Sequence, residues 1–580
     1  MKKLNKFRFS IPEAILFICI MASISIQPAL AEISIWAAGC TEKVQRDKRS
    51  EVPHDKIWDG STKTVHLTGV RGEHVPFQIV ITADQENVNG ITLQKSDLQN
   101  GQDVLSAENI YLYYEHIIKV YTPSGNHGGK GYWPDALVPL THPFNIQSGG
   151  RGRPPELRNQ PVWVDIIIPE NKAPGTYTGT IQVSSEGGDL GEINIELKVW
   201  DITLSKERHF PALMRIGPSD VARMHGLNED SPEFKELYFK YLEHALDNRI
   251  DPRYLLSYGM QGRIENDIYK LEWTDPKTEK FFLDKGLSVF QIDADPPGIP
   301  HEGGEKPFSE SYKRYVKQYI EQVVRHAKEN GWYDKLGFLC PVDEPRTADE
   351  YEAIRRWAQL VREVDPDVDF MVTEQPLSEN PDWGSFVGYA NYWIIHGNYL
   401  ARDNHVQAVT ERQKAGETII WYISCDQRYP QPNYFIDREA ADTRMIGWIT
   451  WRYKLGGILY WTTTWWREVR DPWIDPVVWK LSECNDPLSG EGSLIYPGNL
   501  AKRYTGQDNV FGPVSSIRLE LFREGQEELE LMYMLKEMGG ESAADEIVGS
   551  VCRGIRDFTR DPNLIDEARE KIIKEILKRK

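Results

Sequence analysis

The chain has 580 residues and a formal net charge of −19. That charge argues against a nucleic-acid partner, whose phosphates demand a basic surface. The length predicts two to four domains of roughly 100–200 residues each.

The first residues read as a targeting segment. Lys2, Lys3, Lys6 and Arg8 precede an apolar run from Ala14 to Ala22, and Ala29-Leu30-Ala31 supplies the small-x-small pattern of a cleavage site. The run is too short to cross a bilayer, so 1–31 is expected to be a secretory signal removed near Ala31. The mature chain is then exported: periplasmic, cell-surface or secreted. Ala37-Ala38-Gly39-Cys40 offers the alternative of a lipid anchor. No later stretch approaches the roughly 20 apolar residues of a transmembrane segment. Six cysteines, with no CxxC or other close spacing, indicate neither a disulfide framework nor a zinc site.

Residues 32–205 predict a β-sandwich. Short apolar runs such as Val75–Ile81, Val162–Ile168 and Ile193–Trp200 are separated by turn chemistry at Ala173-Pro174-Gly175 and Gly187-Gly188. The Gly/Pro-rich stretch from Gly125 to Pro155 reads as a long loop, carried on the sandwich surface or donated to a neighbour.

From 206 to 540 the pattern alternates between strands and helices. Apolar runs begin at Ala212, Tyr254, Leu287, Gly337, Phe370, Tyr392, Ile419 and Gly457, with helical segments such as 309–330, 348–364 and 437–454 between most of them. Such alternation means parallel strands, and eight units over about 250 residues fit a (β/α)8 TIM-like barrel. An open doubly wound sheet is the alternative. A helix over Ser516–Met538 and a C-terminal helical segment, 541–580, complete the multidomain chain.

In a barrel, chemistry sits at the C-terminal ends of the strands. The fourth run ends in Pro341-Val342-Asp343-Glu344-Pro345, and the next helix has its own start signal in the T-x-x-E box of Thr347 and Glu350. Capping therefore does not account for Asp343 and Glu344. Pro345 fixes the loop that carries them, since it biases Glu344 away from helical angles. Carboxylates adjacent in sequence are poorly placed to flank a glycosidic bond from opposite sides, as ordinary glycosidases require. A substrate-assisted mechanism removes that requirement: the 2-acetamido group of an amino sugar attacks its own anomeric carbon. Glu344 then serves as general acid/base, and Asp343 orients the acetamide.

Segments spread over the chain point the same way. Arg71–Gln78, Tyr132-Trp133-Pro134-Asp135, Pro174–Gly179, Gly331–Lys335, Asp343-Glu344-Pro345, Tyr496-Pro497-Gly498, Ser516–Glu520 and Arg523-Glu524-Gly525 resemble glycoside hydrolase family 123, the substrate-assisted β-N-acetylgalactosaminidases and their relatives. The resemblance implies a sandwich, a barrel and C-terminal helices. It also implies a glycan or glycoconjugate substrate, with β-linked GalNAc as the sugar and Asp343-Glu344 as the catalytic pair. Where relatives carry an aromatic before that pair, this chain has Cys340-Pro341-Val342.

Other strand ends supply candidate substrate ligands. Trp461 ends the eighth run and Trp465 lies in its loop; one of them should floor the sugar. Glu374 follows the fifth run, His396 the sixth, Tyr422 lies near the end of the seventh, and Arg215 ends the first. Tryptophan faces stack on sugar C–H surfaces, and nine of the 18 tryptophans fall between Trp393 and Trp479, which suggests a carbohydrate platform. No HExxH, GxSxG, GxxxxGK or strand-linked GxGxxG occurs, so no metal or cofactor is expected. Asp293-Ala294-Asp295 could hold a cation but reads more simply as solvated acids. The competing readings are a conventional two-carboxylate glycosidase on neutral sugars, pairing Glu344 with Glu374, and a non-catalytic glycan-binding protein.

Overall fold

The computed structural model describes residues 33–48, 56–83, 87–147, 158–206, 208–253, 260–273, 276–302, 308–469, 471–479, 484 and 486–580. The expected signal segment and the run Tyr254-Leu255-Leu256 lie outside them.

The N-terminal domain is a β-sandwich. One sheet has five strands, with Ile33–Gly39, His74–Ala83, Asn159–Ile167, Ile110–Val120 and Gly131–Pro139 side by side in that order. The facing sheet is built around the long hairpin of Gly175–Ser185 and Gly188–Thr203. Phe77, Ile79, Val162, Val164, Ile181 and Ile195 fill the space between them. The alternate residue Trp163 points the other way, into a cluster with Leu137, Ile517 and Leu521. The five-stranded sheet is thus buried on both faces, which explains its near-continuous apolar runs. The stretch expected to be a long loop instead contains the strand Gly131–Pro139, which pairs with Ile110–Val120 and returns the chain from a tight excursion at 121–130. The glycines at 125–131 mark that turn, and residues 148–155 of the stretch lie outside the described residues.

Eight parallel strands form the barrel: Ala212–Met214, Asp251–Pro252, Phe290–Asp293, Leu336–Leu339, Asp369–Val372, Tyr392–His396, Thr418–Ile423 and Gly457–Tyr460. The first strand pairs with both the second and the eighth, so the sheet curls on itself, unlike an open doubly wound sheet. Closure is incomplete between the second and third strands. There the buried Asp251 carboxylate reaches across the gap to accept the Ser288 N–H at 2.7 Å, and it also accepts the Ala212 N–H of the first strand at 2.9 Å. Leu213, Leu339, Met371, Ile394, Ile420 and Leu459 pack the interior. Between the fifth and sixth strands the chain makes only a 3-10 turn, Pro381–Trp383.

The helix Ala348–Val364 starts where its capping box places it, with Thr347 Oγ1 accepting the Glu350 N–H at 3.2 Å. The helix Ile517–Glu537, capped by Ser516, lies buried beneath the sandwich together with Pro562–Arg579. Its Glu528 is paired with Arg444 of the barrel domain, and Arg569 of the last helix holds Glu73 of the sandwich.

The structure bears on two points that the cysteine spacing leaves open. Cys425 and Cys484 form a disulfide across 59 positions, a separation no local motif reveals. Cys40 is buried at the end of the first sheet strand, so lipid attachment there would cut that strand away. Six of the nine clustered tryptophans, including Trp393, Trp421 and Trp448, are also buried core residues, and only Trp461, Trp465 and Trp479 reach solvent.

Candidate active site

A cavity of about 630 Å³ opens at the C-terminal ends of the fourth to eighth barrel strands, and its wall includes Glu344, Glu374, His396, Tyr422 and Trp461. Thr373, the residue after the fifth strand, ties the acidic pair to the barrel. Its hydroxyl donates to Asp343 Oδ1 at 2.6 Å and accepts the Glu344 N–H at 3.2 Å. Glu344 sits at φ +43°, outside the right-handed helical region and in a left-handed conformation uncommon outside glycine. The proline excludes the right-handed helical region, and the Thr373 tether selects the left-handed one. Backbone strain of about 1–3 kcal/mol is typical of such positions and clusters at functional sites.

Two groups engage the Glu344 carboxylate, one at each oxygen. Tyr422 donates its hydroxyl to Oε1, and the Arg346 guanidinium lies 3.4 Å from Oε2. Burial, with Glu344 beside it, pushes the Tyr422 phenol well above its usual range, so it stays a donor. Asp343 is exposed next to Glu344 and joins the site through Thr373.

His396 stands edge-on to the Tyr422 ring, 4.8 Å between centres. Its Nδ1 accepts the Asn398 N–H at 3.1 Å, which places the neutral ring's proton on Nε2. That nitrogen faces Ser424 Oγ at 2.8 Å and Asp426 Oδ1 at 2.9 Å. Burial would raise Asp426, but its hydrogen bonds from His396 and Ser424 outweigh this and hold it down at about 2. Serine and aspartate share one ring nitrogen, so this is no nucleophile triad, which needs them on opposite nitrogens. The cluster fixes the ring that braces Tyr422.

Glu374 is buried in the cavity wall. Burial pushes its carboxyl up to about 7, although Oε1 accepts the Gln375 N–H at 2.9 Å. A carboxyl held that high is suited to donating a hydrogen bond and poorly suited to nucleophilic attack.

Trp461 forms part of the cavity wall, whereas Trp465 stands behind it, rings tilted at 4.8 Å, and carries the Arg467 guanidinium on its face. Arg215 is not brought into the cavity. Its backbone carbonyl anchors Thr463, and its charge, with that of Arg253, acts on Asp293, whose carboxyl burial pushes up to about 6. The neighbouring Asp295 carboxylate is taken by Tyr312 and His301. Sequence reasoning missed Thr373, Tyr399, Arg402, Ser424 and Asp426, all cavity residues. Of these, only Thr373 carried a signal, as the residue at the end of a predicted strand.

Comparison with known proteins agrees with this architecture. The model for the glycoside hydrolase 123 catalytic domain matches residues 257–535, and that for the glycoside hydrolase 123 N-terminal domain matches 45–185. The fold is similar to that of a family 123 glycoside hydrolase from Clostridium perfringens, described for glycolipid glycan hydrolysis. The TM-score is 0.67 and the identity 17%, over 94% of this chain and 98% of that one. A family 39 glycoside hydrolase from Bacteroides cellulosilyticus is more distant, with a TM-score of 0.33 and 9% identity over 76% of this chain and 81% of that one. No curated protein matches the sequence.

Proposed function

The chain belongs to glycoside hydrolase family 123 and is a glycosidase, and on that premise we propose that it is an exported enzyme cleaving 2-acetamido sugars, β-linked GalNAc foremost, by substrate-assisted catalysis. The observation that carries this reading is the Thr373 hydroxyl bridging Asp343 and Glu344. Both residues come from one loop at one strand end, with Glu344 lining the cavity and Asp343 tied beside it through Thr373. A pair so placed does not supply a nucleophile opposite an acid. It does supply an acid and an orienting group for a nucleophile that the substrate brings.

In this mechanism Glu344 protonates the leaving oxygen as the acetamide oxygen closes on the anomeric carbon. Asp343 accepts the acetamide N–H and stabilises the oxazolinium charge. Glu344 then takes the proton from the water that reopens the ring. Tyr422 and Arg346 hold the Glu344 carboxylate in place, and Trp461 offers the sugar an aromatic face. The glycolipid glycan acted on by the Clostridium perfringens protein is one substrate class consistent with this reading.

Export is supported by two features. Cleavage after Ala31 leaves the strand Ile33–Gly39 whole, and the Cys425–Cys484 disulfide suits an oxidising compartment.

The test compares hydrolysis of an aryl β-N-acetylgalactosaminide with that of the matching 2-hydroxy galactoside, with and without a thiazoline mimic of the oxazoline. Acetamide-dependent turnover blocked by the thiazoline is the expected result. Equal turnover of the 2-hydroxy sugar, insensitive to thiazoline, would overturn the mechanism.

A further inference from the structure

Three sequence segments outside the cavity wall meet at one buried point. Asp135, from Tyr132-Trp133-Pro134-Asp135 of the sandwich, is paired with Arg518, two residues after the Ser516 cap. Nε and Nη2 of Arg518 donate to the two carboxylate oxygens at 2.8 and 2.7 Å. The Tyr496 hydroxyl, from Tyr496-Pro497-Gly498, donates to the same carboxylate at 2.6 Å. A fully buried ion pair contributes little net stability against its desolvation, but its directional bonds fix geometry.

The remaining Arg518 donors show what is being fixed. Nη1 reaches the carbonyl of Gly490 at 2.9 Å, and Nη2 that of Ser493 at 2.5 Å. These residues bracket a turn in which Gly490 and Gly492 both have positive φ. A Cβ on Gly492 would fall 2.8 Å from both Trp461 and Trp465, so only glycine lets the turn lie against the aromatic loop. The turn is also sewn to that loop by backbone bonds, Trp465 N–H to the Gly492 carbonyl and Leu494 N–H to that of Thr463. Between the glycines, the buried Glu491 accepts the Trp461 indole N–H on Oε1 at 2.7 Å. Its Oε2 is buried with no hydrogen bond of ordinary geometry, the Tyr460 hydroxyl being the polar group that stands beside the carboxyl. A buried carboxyl left half-satisfied is costly, and core packing alone does not call for one.

We propose that Glu491 is a positioning residue that sets the plane of Trp461, and that the Asp135–Arg518 pair carries this positioning from the N-terminal sandwich to the sugar-binding floor. The proposal rests on the reading of Trp461 as the sugar platform. Stacking on a sugar face depends on the orientation of the ring, and an indole anchored at its nitrogen cannot swing about its χ angles without losing a buried hydrogen bond. The sandwich is then part of the active-site scaffold, and its removal would release the floor.

The test uses the full mature chain. The ¹⁵N-indole resonance of Trp461 is identified by its loss in Trp461→Phe. Glu491→Leu should move that resonance and accelerate its solvent exchange. Glu491→Gln, which keeps an acceptor, should leave it nearly in place. Asp135→Asn should also perturb it, although the two side chains are linked only through Arg518 and the turn. On the aryl β-N-acetylgalactosaminide, Glu491→Leu should raise KM about tenfold with a smaller effect on kcat. Combined with Trp461→Phe, it should be no worse than the worse single variant. An unmoved indole resonance in Glu491→Leu, or additive effects in the double variant, would overturn the positioning role. If Glu491→Leu does not fold, Asp135→Asn decides, and an unmoved resonance there overturns the coupling. An unchanged KM in Trp461→Ala, with the resonance still moved by Glu491→Leu, would defeat the platform reading while leaving the coupling in place.

Discussion

The hydroxyl of Tyr422, at the end of the seventh barrel strand, donates to Oε1 of Glu344 in the loop after the fourth. The bond links a strand end and a loop that sequence places 78 positions apart. Because burial keeps the phenol protonated, Tyr422 remains a donor toward Glu344. Removing one such preorganised donor costs on the order of 10²-fold in turnover. Tyr422→Phe should therefore lower kcat by roughly that factor and change KM little; an unaltered kcat would separate Tyr422 from the chemistry.

Glu344→Gln should lose about 10²–10⁴-fold in rate on substrates with poor leaving groups, and much less on activated aryl glycosides, because only the former need a proton. Asp343→Asn should impair both, since its role is to orient the nucleophile. Leaving-group series for the two variants distinguish these roles, and near-normal turnover in both would remove the pair from catalysis.

Glu374 makes stability pH-dependent in a defined direction. Burial lifts its carboxyl from 4.5 to about 7, so the unfolded chain loses this proton before the folded one does. Stability therefore falls as pH rises from about 4.5 through about 7 and levels off above. Glu374→Gln carries no charge to bury and should gain about 3 kcal/mol on the wild type across that window. Melting temperatures between pH 5 and 8 test this; parallel curves for the two proteins would contradict it.

The Cys425–Cys484 bond lies in the cavity wall, and Cys425 sits between Ser424 and Asp426, which hold His396. Replacing both cysteines with serine should destabilise the fold by about 2–4 kcal/mol and lower kcat/KM by loosening the His396 brace. A mild reductant on the wild type should reproduce the effect, measured as activity and as the denaturation midpoint.

Gly525 and Gly447 mark a close helix crossing. A Cβ at Gly525 would sit 2.3 Å from the Arg444 carbonyl oxygen, and one at Gly447 would sit 2.1 Å from that of Gly525. In a free helix, alanine would stabilise by about 1 kcal/mol over glycine. Here the backbone must part, so Gly525→Ala should instead cost roughly 2–3 kcal/mol. Urea unfolding gives the sign directly.

Much of the architecture was legible in the sequence because its causes are local. The cap of Ala348–Val364 depends on Thr347 and Glu350, three positions apart, and the helix begins where they place it. Most barrel strands were readable as apolar runs because a strand enclosed by helices must be apolar along its length. The position of Asp343 and Glu344 at a strand end followed from the same reading.

What the fold alone decided involves partners distant in the chain. Pro345 excluded one region for Glu344, but the choice of a left-handed over an extended backbone required Thr373, 29 positions on. The tryptophan cluster looked like a platform, yet most of it is core, because composition does not say which face of a strand or helix another element will cover. The disulfide, the Asp135–Arg518 pair and the Glu491 support of Trp461 arise only when segments 30 to 383 positions apart are packed together. Sequence fixes local conformation through neighbouring atoms, whereas burial and side-chain pairing are set by which remote surfaces exclude water together.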